Sequence, residues 1–253
     1  MQITFKTVAL LIASLSFLPG TAFAQRGQSG ADQALFDSAN RERVAQGLTP
    51  LKWDSALARA AHQHALRMAQ QNSLSHQFSG EPDLTARATR AGARFSTIAE
   101  NVAEGPNASD IQAQWMKSPP HRANLLDADL DSIGIAEAER NGMLFAVEDF
   151  SRAVPSLSLK EQEAPVSTLL ETSGLRLLGA TSDARRTCAL DRGYVGKTKP
   201  LSVVRYETAD VSEVPRDLEQ KIESGRYHSA AVGACPSSGP SGFARYRLAI
   251  LLY

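Results

Sequence analysis

The chain has 253 residues, with 27 basic side chains against 27 acidic ones and a formal charge of zero. That balance argues against nucleic acid as the main partner, because phosphate binding calls for a local excess of Lys and Arg. The length suits one large domain or two smaller ones, and after the first segment no apolar stretch is long enough to span a bilayer.

Residues 1–24 read as an export signal. Lys6 gives a positive start, Val8 to Leu18 is a short apolar run, and Ala22-Phe23-Ala24 is a small-x-small cleavage site. Cleavage there would start the mature chain at Gln25, which is not a lipid-bearing cysteine, and residues 25–31 read as a flexible tail. The expected product is a secreted or periplasmic monomer.

The 3.6-residue period predicts a helix over 32–46, stopped by Gly47. A second helix is predicted from an Asp54 N-cap to Gln71, with Leu57, Ala61, His64 and Met68 on one face. His64 on that stripe reads as a hydrogen-bonded core histidine. A loop from Asn72 to Glu81 carries His76, and a short helix covers Asp83 to Ala91. A further helix runs from Ala108 to Lys117, Ser118-Pro119-Pro120 ends it, and His121 opens a last helical turn. Strands follow at 132–137 and 143–147, joined by the hairpin signal Asn141-Gly142. Residues 32–153 therefore form an α+β domain.

Pro155 to Pro165 reads as a linker, placed at 154–166, and 167–253 as a small β-rich module. Its strands are predicted at 174–179, 201–207, 227–234 and 243–252, with one helix over 215–224 and a flexible loop over 236–242. Cys188 and Cys235 would pair in an oxidising compartment; the alternative is two buried thiols. No internal repeat is legible.

Four of the five histidines fall between positions 62 and 121. His76 and His121 lie in short motifs on either side of Ala99-Glu100-Asn101. Two imidazoles and a carboxylate could hold a divalent metal, a ligand carboxylate or a water. A carboxylate beside an imidazole could also orient it as a general base.

These pieces carry a resemblance. Leu51-Lys52-Trp53-Asp54, His64 to Ala69, Ser75-His76, Arg87, Ala99 to Ala103, Trp115-Met116, Ser118 to Leu126 and Ile133-Gly134-Ile135 occur in the order and spacing of the CAP domain. That is the fold of the cysteine-rich secretory, antigen 5 and pathogenesis-related class 1 proteins, and the bacterial branch matches best. The resemblance implies an α-β-α sandwich with a cleft lined by two histidines and two acids. It places His76 and His121 as the histidines, Glu100 as one acid and Asp110 as the second. It also implies divalent-metal binding, Zn²⁺ being the candidate ion, with His76, His121 and Glu100 as ligands. Asp110 has a competing role, because Asn107 and Asp110 fit a helix cap. Asn101 would support Glu100, and Arg122 would face an anionic ligand or a surface ion pair.

Three functions follow. One is a binding module for a lipid, peptide or cell-envelope fragment, consistent with the absence of a Gly-x-Ser-x-Gly or His-Glu-x-x-His motif. The second is a metal-assisted hydrolase using the same cleft. The third is a structural or interaction protein.

Overall fold

A computed structural model describes residues 30–179, 181–237 and 242–253. The export signal and residues 25–29 of the tail lie outside them. The first half runs α1 (Gly30–Ala45), β1 (Lys52–Trp53), α2 (Ser55–Gln71), α3 (Leu84–Arg90), β2 (Phe95–Gly105), α4 (Ala108–Lys117), α5 (Pro119–Leu125), β3 (Ser132–Arg140) and β4 (Met143–Ala153).

Local chemistry sets several of these bounds. The Asp54 carboxylate caps α2 by accepting from the N–H groups of Ala56 and Leu57, and Asn72 closes the helix in the left-handed region. Asn141 and Gly142, both at positive φ, make the β3–β4 hairpin. The strands pair in the order β1-β3-β4-β2, so β2 is an edge.

Alternation along the strands sorts the core into two layers. On one face Leu35 and Ala39 of α1, Ile111 and Trp115 of α4 and Leu125 of α5 meet Ile133, Ile135, Ala146 and Phe150. On the other, Ala61, Ala65 and Met68 of α2 meet Val102, Ala136, Phe145 and Val147. This is the expected α-β-α sandwich. Gly134 lets α2 approach β3, since a Cβ there would lie 2.1 Å from the Ala58 nitrogen.

The second half contains α6 (Leu159–Thr172), β5 (Arg176–Leu177), α7 (Thr181–Cys188), β6 (Ser202–Thr208), α8 (Arg216–Glu223), β7 (Ser229–Cys235) and β8 (Tyr246–Leu252). Two expectations are corrected here. Most of the supposed linker belongs to helix α6, started by a capping box in which Ser158 accepts from the Glu161 N–H and Glu161 accepts from the Ser158 N–H. Pro165 sits inside that helix. Among the described residues the module also has three helices rather than one.

The absence of a repeat is corrected as well. The second sheet is ordered β5-β7-β8-β6, with β5 parallel to β7 and the other pairs antiparallel. The first sheet has the same connectivity, with β1 parallel to β3. Helices α6 and α8 cover one face through Val166, Leu170 and Leu218, and α7 covers the other through Ala184. Gly233 repeats the role of Gly134, for a Cβ there would lie 2.1 Å from the Arg185 nitrogen. The Cys188–Cys235 disulfide joins α7 to the end of β7. The two halves touch where Phe243 meets Phe95 edge to face at 5.5 Å and Ala244 donates to the Phe95 carbonyl.

Candidate functional site

The site forms around the edge strand β2, where consecutive residues point to opposite faces. Glu100 faces the α2–α3 side and is buried, while Asn101 faces the α4–α5 side. His76, in the loop after α2, places Nδ1 2.8 Å from Glu100 Oε1. Arg87 of α3 donates through Nη2 to the other Glu100 oxygen, and through Nη1 to the carbonyls of His76 (3.1 Å) and Pro82 (3.2 Å). A buried guanidinium thus neutralises a buried carboxylate, which in turn orients an imidazole whose side chain is 62% exposed.

On the other face, Asn101 Nδ2 donates to the His121 carbonyl at 3.0 Å and to Glu148 Oε2 at 3.3 Å. Asn124 bridges the strand to α5, donating to the Glu100 carbonyl and to Asn101 Oδ1. The motif Pro120-His121-Arg122-Ala123-Asn124 therefore wraps one side of β2, and the His76 loop wraps the other.

The two histidines titrate apart. The Glu100 hydrogen bond raises the His76 pKa above the usual imidazole value. Burial, then the charge of His76, lowers that of His121. As pH falls, His76 takes its proton first and opposes protonation of His121. The cleft then presents one cationic donor and one neutral ring.

Behind these groups lie two fully buried acids on β4, each opposite a site residue of β2: Asp149 pairs with Glu100 and Glu148 with Asn101. Burial raises the Glu148 pKa to about 8 and pushes Asp149 well above the carboxylate range, the latter aided by the negative charge of Glu100.

His76, Glu100, Asn101 and His121 thus gather at one edge. Asp110 is engaged differently: its N–H and carboxylate both bond Asn107 at the start of α4. Arg122 is exposed on α5 and lines a shallow surface pocket with Met116, Lys117 and Leu126. Arg87 and Asn124 were visible only as motif residues without a role, and Glu148 and Asp149 not at all. Their signal was an acidic pair inside an otherwise apolar strand.

A metal fits this set poorly as a three-ligand centre. Both Glu100 oxygens are taken, by His76 and Arg87, so two imidazoles are left to face an ion. Among the described residues no group of three or more His, Cys, Asp or Glu is arranged to hold one.

Residues 36–149, just under half of the chain, match the model of the cysteine-rich secretory protein family, CAP. An uncharacterized protein, YkwD of Bacillus subtilis (strain 168), is 28% identical over 120 residues, 47% of this chain and 47% of its own. The matched stretch therefore spans about half the length of that curated relative. Among solved structures, an extracellular protein containing an SCP domain from Bacillus anthracis str. Ames is 28% identical with a TM-score of 0.45, over 49% of this chain and 40% of that one. An outer surface protein of Borrelia burgdorferi is 20% identical with a TM-score of 0.45, over 48% of this chain and 91% of that one.

Proposed function

We propose that the protein is exported and uses the cleft at the β2 edge to bind a lipid, peptide or cell-envelope fragment that offers an anionic or acceptor group. The observation that carries this reading is the Arg87–Glu100–His76 chain. It fixes Nδ1 inward and leaves the rest of an exposed ring for a ligand. His121, the less basic ring, would accept a hydrogen bond from the same ligand. The apolar run and cleavage site of residues 1–24 support export, as does the Cys188–Cys235 disulfide, a bond typical of oxidising compartments.

The test is binding of anionic lipid vesicles, peptides and peptidoglycan fragments, read by thermal shift and calorimetry. A bound probe should lose at least about tenfold in affinity in the His76→Ala/His121→Ala variant, equivalent to roughly 1.4 kcal/mol. Unchanged affinity for every bound probe would remove the cleft from the account. The Glu100–His76 pair also has the form of an oriented general base, which supports hydrolysis as the second reading. Turnover of the same panel, abolished by Glu100→Gln, would move the assignment there. A Zn²⁺ role would rest on His76 and His121, and Zn²⁺ titration of the double variant checks it.

A further inference from the structure

The segment 72–82 carries His76 to the cleft, so whatever holds that segment also holds the imidazole. It is held at two points. From α3, Arg87 donates to the carbonyls of His76 and Pro82. From α2, the fully buried His64 places Nδ1 2.7 Å from Glu81 Oε1 and Nε2 2.7 Å from the Ser75 carbonyl oxygen. The other Glu81 oxygen accepts from the Phe78 N–H at 3.0 Å.

Neither partner of His64 is an ordinary donor. A peptide carbonyl only accepts, and so does an ionised carboxylate, whereas a neutral imidazole has one N–H for two acceptors. Satisfying both contacts requires that the His64–Glu81 unit hold one proton more than a neutral ring beside an ionised acid. The charged groups near it are Glu81 itself and Arg87, whose charge acts on Glu81, and the sheet face under α2 also carries Glu100 and Asp149. The strands under α2 present Ala136, Phe145 and Val147, and the Phe78 ring lies 6.1 Å from the imidazole. Further bonds join the two acceptor residues: Ser75 Oγ donates to the Gln77 carbonyl and Gln77 Nε2 to the Glu81 carbonyl.

We propose that His64 is a positioning residue for His76: a proton-bearing clasp that ties the 72–82 segment to α2 at Ser75 and Glu81 and so keeps the cleft imidazole on Glu100. The functional meaning of that placement rests on the ligand-binding reading above; the clasp itself does not. Arg87, a guanidinium that only donates, is one fastener, and the His64 clasp is the other. Without its extra proton an acceptor would face an acceptor and one of the two His64 contacts would be lost.

The test needs no ligand and uses the full chain, labelled with ¹⁵N. At neutral pH both His64 ring nitrogens, or His64 and the Glu81 carboxyl between them, should carry the hydrogens that the two contacts require. His64→Gln, which offers one nitrogen and one acceptor oxygen where the ring offers two nitrogens, should speed amide exchange in 73–82 at least about tenfold and shift the His76 ring from its Nδ1–H tautomer. Protection in the second domain should stay intact. Glu81→Gln, whose amide N–H₂ can donate to a neutral Nδ1, should keep the segment closed with a single ring hydrogen on His64. Missing hydrogens on the wild-type pair, an unmoved His76 tautomer in His64→Gln, or exchange in 73–82 as fast in Glu81→Gln as in His64→Gln would each overturn the clasp. Failure of the ligand panel alone would leave it standing.

Discussion

The two halves of the molecule share a plan and differ in chemistry. In the first sheet one cross-strand row runs Gly134–Asp149–Glu100, and in the second the matching row runs Gly233–Ala249–Arg205. The glycine persists, because in both places a helix crosses too close for a side chain. The acids do not. Ala249 stands where Asp149 is, Leu248 where Glu148 is, and Arg205 takes the place of Glu100, donating to the backbone carbonyls of Thr187 and Gly193. The scaffold is thus separable from the site. What makes the first half a candidate binding domain is the buried charge that β2 and β4 carry to the cleft. The second half fills the matching positions of β8 with Leu248 and Ala249, and carries its disulfide elsewhere, between α7 and β7.

That contrast can be broken most forcefully at the disulfide. Its cysteines are 47 residues apart, so on a chain-entropy estimate the bond contributes about 4 kcal/mol. Cys188→Ala/Cys235→Ala should lower the unfolding free energy of the second half by that order, read from its shifted denaturant midpoint. Hydrogen exchange should show the first half still protected, with the His76 ring unshifted. Joint unfolding of both halves would mean that the shared plan is also a shared core.

A second effect, of comparable order, sharpens the contrast. Folding raises the Glu148 pKa from 4.5 to about 8. Between those values the folded chain holds a proton that the unfolded chain has released. The sign is therefore fixed: stability is greatest below about pH 4.5 on this account and is lost as pH rises toward 8, by an amount on the order of a few kcal/mol. Glu148→Gln should flatten part of this slope, with Asp149, shifted in the same direction, supplying the rest. The second half, with Leu248 and Ala249 in those places, should show no matching slope. Domain-resolved hydrogen exchange against pH measures it.

Much of the first half was legible because its signals are local. The Asp54 cap, the Asn141-Gly142 hairpin and the ordered motifs each act over a few residues, and His64 fell where its apolar stripe placed it. The site was legible as a set of types, His76, Glu100 and His121, but its wiring was not. Sequence spacing does not show that Arg87 would take one Glu100 oxygen, whereas the pairing of Asp110 with Asn107 was legible as a helix cap. Strand β4 runs past the expected end at Val147, through Glu148-Asp149 to Ala153, and burial of those two acids is a tertiary outcome. In the second half the prolines masked α6, although Ser158 and Glu161 already spelled a capping box. The repeat was hidden because it resides in strand pairing and two glycines, with no motif in common.

That Glu100 and the two rings act as one electrostatic unit is tested directly by the ring titrations of His76 and His121 in NMR. His76 should titrate above and His121 below the ordinary imidazole value in the wild type, with His76 falling back in Glu100→Gln. Two rings titrating at the ordinary value, unmoved by Glu100→Gln, would contradict it.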